Sequence, residues 1–220
     1  MGVSMEKKTL SAVFDYRGLR LLMGLIALSL PIIVTAMAGK SLTSISASYY
    51  SDARDMFVGL LFVVGSFLFA YNGHSEKEAL ASKAASISAL LVASFPTACD
   101  GCQSGFVSSI HYSAAAMLFS ALAYFCFIPF RRGVKGASGK KGRRNVIYLV
   151  CGSIMVGCMV VVFVANQALP EQVLVEWRVT YFGEAIALLA FGVSWIVSGK
   201  AFKLVADEEE MYRPFRSEVA

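Results

Sequence analysis

The sequence predicts an all-α, polytopic membrane helix bundle with six transmembrane helices and both termini in the cytoplasm. Three observations carry that prediction. Apolar residues make up 57% of the chain and charged residues 16%, against about 45–50% and about 25% in soluble domains, so there is too little polar surface to cover a water-facing globule. The apolar residues are gathered into six continuous runs, each near the roughly 20 residues a helix needs to cross the hydrocarbon. Lys and Arg fall almost entirely in alternate connections, the pattern that sets membrane orientation. The net charge of +5 therefore reads as a topology signal and not as a nucleic-acid footprint. A β-barrel fits less well, because barrels need alternating segments of about ten residues.

In order, residues 1–18 form a cytoplasmic N-terminal segment, 19–199 the transmembrane domain and 200–220 a cytoplasmic tail. The predicted spans are Leu19–Ala38, Asp55–Asn72, Ala79–Pro96, Ser108–Phe130, Asn145–Asn166 and Thr180–Gly199. Pro31 removes one backbone hydrogen bond from the first span and predicts a kink. Ala36-Met37-Ala38 also fits a signal-peptidase site, but the apolar run before it exceeds the usual 7–15 residues, so the span is read as retained. The third span offers Ala81, Ala85 and Ala89 at i+4 spacing as a packing face. The fifth offers Cys151 and Cys158, two turns apart. Of the 20 Lys and Arg residues, only Lys40, Arg54 and Arg178 fall in connections on the outer side. The loop RRGVKGASGKKGRR reads as a mobile topology anchor touching anionic headgroups, since nothing in it matches a phosphate-binding P-loop. The tail DEEEMYRPFRSEVA reads as a solvated extension. No internal repeat is evident.

The stretch SASYYSDARDMFVG carries the functional argument, because ionisable groups where a span begins are costly unless paired or used. If the second span extends outward to Ser48, then Ser48, Asp52, Asp55, Gly59 and Ser66 share one stripe at about 100° per residue. Thr180, Glu184, Ala187, Ser194 and Ser198 share a face of the sixth span. His111 stands at the outer turn of the fourth. Asp55, His111 and Glu184 thus form the core of an expected pocket near the outer leaflet. Tyr49, Tyr50, Asp52 and Arg54 form its rim, with Thr97 and Asn166 supporting. The cytoplasmic halves show no comparable set. The expected ligand is a lipid headgroup or small amphipathic molecule.

Two further classes compete with binding. A His111 acid–base pair with Asp55 or Glu184 would make an enzyme. A polar route inward through Glu184, Ser66, Ser194 and Ser198 would make a transporter or channel. Cys99 and Cys102 are expected to form a structural disulfide in an oxidising exterior; a redox-active pair is the alternative. A zinc site from Cys99, Cys102 and His111 lacks a clear fourth ligand, Asp100 and Asp55 being the candidates. The reading assigns no metal and no cofactor, and membrane lipids as the expected partners.

The stretches SISASYYSDARDMFVG, SFLFAYNG, SFPTACDGC, IHYSAAAMLF, RRNVIYLVCG and EAIALLAFGVSWIVSGK resemble a family of bacterial inner-membrane proteins built on a domain of unknown function. The likeness runs from Ser44 to Lys200 and implies a six-span fold, with no activity to carry over. A more distant likeness is to the Frag1/DRAM/Sfk1-like proteins and to alkaline-ceramidase-like hydrolases. The latter hold zinc with several histidines and an aspartate. This chain has only His111 at the outer layer, and His74 in a cytoplasmic loop, which argues against a zinc amidase.

Overall fold

A computed structural model describes residues 16–99 and 105–212. Among them, seven α-helices account for nearly all regular structure: α1 Tyr16–Met37, α2 Arg54–Ala70, α3 Glu76–Ser94, α4 Phe106–Phe127, α5 Gly139–Ala168, α6 Glu171–Glu176 and α7 Val179–Ser198. A 3-10 turn, Ser46–Tyr50, precedes α2. Each predicted span coincides with one of the long helices. Four of these, α1, α4, α5 and α7, are long and apolar enough to cross a membrane, so the protein is an integral membrane helix bundle. By contrast, α2 has 17 residues, and α3 opens on Glu76, Lys77 and Glu78.

Neighbours in sequence pack as neighbours in space, and α7 returns to lie between α5 and α1, closing a ring. The closure is a backbone contact. A Cβ added to Gly24 of α1 would lie 2.7 Å from the carbonyl oxygen of Gly192, and one added to Gly192 would lie 2.8 Å from that of Gly24. Only glycine at both positions lets the helices approach so closely. The α2–α3 seam is held differently. Ser82 and Ser86 hydroxyls each donate at 2.7 Å, to the carbonyls of Leu68 and Gly65, while Ala85 and Ala89 are fully buried beside them. The expected alanine face of the third span is therefore a packing face, with a serine stripe beside it.

The fifth helix departs most from expectation. It begins at Gly139, six residues before the predicted span, so Lys140, Lys141, Arg143 and Arg144 are helical. At about 1.5 Å per residue, its 30 residues reach some 45 Å, longer than the hydrocarbon is thick. The basic stretch that read as a mobile loop is in part a rigid helical extension. The residues facing outward along the rest of α5, among them Val150, Val160, Val161 and Phe163, are exposed and apolar, as a lipid-facing surface requires.

Candidate functional site

The polar residues gather at two ends of the bundle. The first end, rich in tyrosine, holds the predicted site residues. The chain breaks between Tyr50 and Arg54: Ser51 is extended, with φ −136° and ψ 177°, and α2 starts only at Arg54. Ser48 and Asp52 therefore leave the helical phase, and the stripe expected to join Ser48, Asp52 and Asp55 does not exist. Asp52 instead closes the loop against Gly39, whose φ of +64° a side chain rarely adopts; a Cβ there would meet Asp52 Oδ2 at 2.8 Å. Asp55 is exposed and makes no hydrogen bond or ion pair with any described residue. Arg54 donates to Tyr49 Oη at 3.0 Å and lies over the same ring.

Glu184 accepts from Ser46 twice, from its backbone N–H at 3.1 Å and its hydroxyl at 3.3 Å. Beside it, Arg178 Nε donates to the Leu42 carbonyl at 2.9 Å, and the Tyr181 N–H donates to that of Thr43 at 3.1 Å. The start of α7 thus pins the 42–46 stretch of the α1–α2 connection. His111 is 2% exposed, and its Nδ1 lies 2.7 Å from the Phe95 carbonyl, tying α4 to the end of α3. Tyr50 Oη donates to the Thr97 carbonyl at 2.8 Å, and the Thr97 hydroxyl donates to Tyr112 Oη at 3.0 Å. Burial, with Tyr49 and Tyr112 nearby, pushes the Tyr50 hydroxyl above its usual value, keeping it a donor. Asn166 Nδ2 donates to the Val162 carbonyl and to Thr180 Oγ1, joining α5 to α7. Cys102 lies outside the described residues, as does Asp100.

No hydrogen bond or ion pair joins Asp55, His111 and Glu184 to one another. Each holds a different piece of backbone or faces outward. Of the three serines expected to carry a route inward, two bond their own helices, Ser66 to the Phe62 carbonyl and Ser194 to that of Phe191, both at 2.8 Å, while Ser198 accepts from Arg20.

At the same end lies an open groove of about 400 Å³ between α3 and α4. Ser88 and Leu91 line one wall; Phe106, Ser109, Ser113 and Ala114 line the other. The lining is apolar apart from the hydroxyls, which suits an amphipathic occupant. None of the predicted site residues lines it. His111 acts on the groove indirectly, because its bond to Phe95 ties together the two helices that form the walls. The sequence signal was faint: four serines, Ser104, Ser108, Ser109 and Ser113, clustered where an apolar run begins.

The opposite end is basic, and it holds a polar network that the sequence reading missed. Arg20 donates to Tyr71 Oη and to Ser198 Oγ and lies over the Tyr71 and Phe130 rings. Below it Trp195, fully buried, meets Tyr71, Phe125, Phe130 and Phe191 edge-on at 5.2–5.6 Å. Its indole N–H is a buried donor with no hydrogen-bond partner among the described residues. Glu78, 1% exposed, pairs with Arg132 at 2.7 Å and accepts from the His74 N–H at 2.9 Å. Ser75 caps α3 by accepting from the Glu78 N–H. Ser75 and Glu78 form a capping box, a signal readable as Ser-x-x-Glu before the apolar run.

The tail, expected to be solvated, is folded onto this end as far as Tyr212. Arg144, 2% exposed, donates to the Val205 carbonyl at 2.7 Å and to Glu210 at 2.8 Å. Lys140 donates to the Ala206 carbonyl, Arg143 to that of Leu204 and Arg17 to that of Glu210. Val205 and Ala206 are buried as a result. Burial alone would raise the Glu210 carboxyl; the Arg144 hydrogen bond and the charges of Lys200 and Arg144 outweigh it and hold the group below its usual value. Burial lowers Lys200 despite that partner.

Compared with known proteins, the chain matches no family model, no curated protein and no solved structure.

Proposed function

We propose that this protein is a six-span bundle of the bacterial inner membrane, both termini cytoplasmic, that binds a small amphipathic molecule or lipid at its outer end. The groove between α3 and α4 is the observation that carries the reading. It is open, apolar, and carries hydroxyls at Ser88 and Ser113 that bond no other described residue. An amphipathic ligand reaches such a groove laterally from the bilayer, its tail along Leu91 and Met117 and its polar group among the serines. The placement of Lys and Arg supports the orientation, and under it α2 and α3 also cross. Pairing with neighbours supports this for α3, whose serines bond α2 carbonyls and whose Glu78 is paired with Arg132. The Cys99–Cys102 pair would then face an oxidising compartment and is proposed as a disulfide pinning the loop before α4.

In this reading Glu184, His111, Tyr50 and Thr97 are positioning residues that hold the groove end in shape. A His–carboxylate enzyme has less support, because His111 bonds a backbone carbonyl and neither Asp55 nor Glu184. The test is native mass spectrometry of the purified protein released from mild detergent, beside Ser113→Trp, which fills the groove from an exposed position, and Asp55→Ala. A lipid or small molecule retained by the wild type and by Asp55→Ala, and lost from a folded Ser113→Trp, is expected. Retention by all three, or by none, would sink the groove as the binding site.

A further inference from the structure

At the basic end, three cations converge on one carboxylate. Arg144 Nη2 lies 2.8 Å from Glu210 Oε2, and Lys200 Nζ and Lys141 Nζ lie 3.4 and 3.9 Å from Oε1. Glu210 therefore neutralises only part of the charge around it; Lys140 is taken by Asp207 and Lys203 by Glu208. The cluster stands over the first turns of the 30-residue α5, where no acidic residue occupies the first turn and the unpaired N–H groups add positive potential. Lys200 lies two residues past the end of α7, a helix long and apolar enough to cross a membrane. Arg144 is deeply buried and bonds the tail at Val205 and Glu210.

We propose that Lys141, Arg144 and Lys200 form a binding site for a phosphate-bearing anion, occupied in cis by Glu210 as a displaceable stand-in. The membrane-level position favours the headgroup of an anionic phospholipid as the source. A phosphodiester brings the same single charge as the carboxylate, spread over two anionic oxygens, so it can take over the same charge-assisted donors. Displacement is easy to reach energetically. Glu210 is a quarter exposed, and its pair with Lys141 is longer than a hydrogen bond, the kind that contributes little. When the headgroup enters, the tail loses its carboxylate anchor, and residues 204–212, then held by the Arg17, Lys140, Arg143 and Arg144 bonds to their carbonyls alone, open more often. The tail then reports which lipid surrounds the bundle.

The experiment places the full chain in nanodiscs of phosphatidylcholine, alone, with phosphatidylglycerol, or with inorganic phosphate added to the buffer. Hydrogen exchange of residues 204–212 is followed. Phosphatidylglycerol is expected to speed that exchange about three- to fivefold, the range set by one partly exposed ion-pair cluster. Glu210→Gln should show the fast exchange without phosphatidylglycerol and retain more of that lipid by native mass spectrometry. Lys141→Gln and Lys200→Gln, added to Glu210→Gln, should abolish the extra retention. All three positions are at least partly exposed, and unchanged exchange in α7 checks the fold. Release by inorganic phosphate alone would overturn the lipid as source and assign the site to soluble phosphate esters. Tail exchange indifferent to both anions, with equal lipid retention by wild type and Glu210→Gln, would overturn the site.

Discussion

The two ends of the bundle use polar residues in opposite ways. At the tyrosine end, side chains bond backbone one at a time: Glu184 to Ser46, His111 to Phe95, Tyr50 to Thr97. Each contact fixes one loop or helix end, and Asp55, with no hydrogen bond or ion pair to any described residue, faces outward. At the basic end, charges meet charges over an aromatic floor, and Arg144 and Glu210 each serve several partners. A line of ionisable residues at a membrane boundary is therefore not in itself a site. What matters is whether bonding capacity is left over. At the tyrosine end most of it is consumed by loop closure, and what remains open is an apolar groove; at the basic end positive charge is left over.

Five measurements test this contrast. The largest effect should ignore it. Gly192→Val drives a Cβ against the α1 backbone, and a loss of about 3 kcal/mol or failure to fold is expected in thermal unfolding. Next, Arg144→Met should cost about 2–3 kcal/mol, because it leaves the buried Val205 carbonyl unpaired. Its signature is fast exchange over 204–212 with the 42–50 region unchanged. Glu184→Ala should do the reverse, loosening 42–50 at a cost of about 1–2 kcal/mol and leaving the tail protected. If either variant loosened both ends, the ends would not be independent.

Acid provides a milder probe of the basic end. Glu210 is held below the usual 4.5 by Arg144 and Lys200, with Lys141 from α5 and Arg17 from α1 alongside. A depressed carboxyl stabilises the folded state above its unfolded value, and that contribution is lost as pH falls through the folded value. Tail protection should accordingly hold at neutral pH and fall only below 4.5, and Glu210→Gln should remove that dependence. Smallest of all, Asp55→Asn should change stability by less than about 0.5 kcal/mol; a larger loss would mean that Asp55 has a partner at this end after all.

Long apolar runs made the helices legible, because hydrocarbon solvent permits little else. Polar positions were harder to read. The second-span stripe assumed a continuous helix through Ser51, and a 3-10 turn broke its phase. The start of α5 was hidden because Gly139 and Gly142 flank lysines, a composition that argues for loop; tertiary contact with the tail stabilises helix there despite propensity. The tail looked solvated because its charge pattern could not show that its counter-charges lie in α5. Sequence periodicity grouped Glu184 with Ala187, Ser194 and Ser198 on one face of the sixth span and set His111 at the outer turn of the fourth. It could not say that their partners are loop backbone, since that depends on where two connections fold back.

The contact between Gly24 and Gly192 has a consequence for biosynthesis. Among the described helices α1 packs on α7 more than on its neighbour α2, so the ring cannot close until α7 has been made. Until then the backbone at Gly24 is left without the partner that its missing side chain accommodates. A nascent chain stalled before α7 is an open crescent, and completion of α7 is the event that closes it.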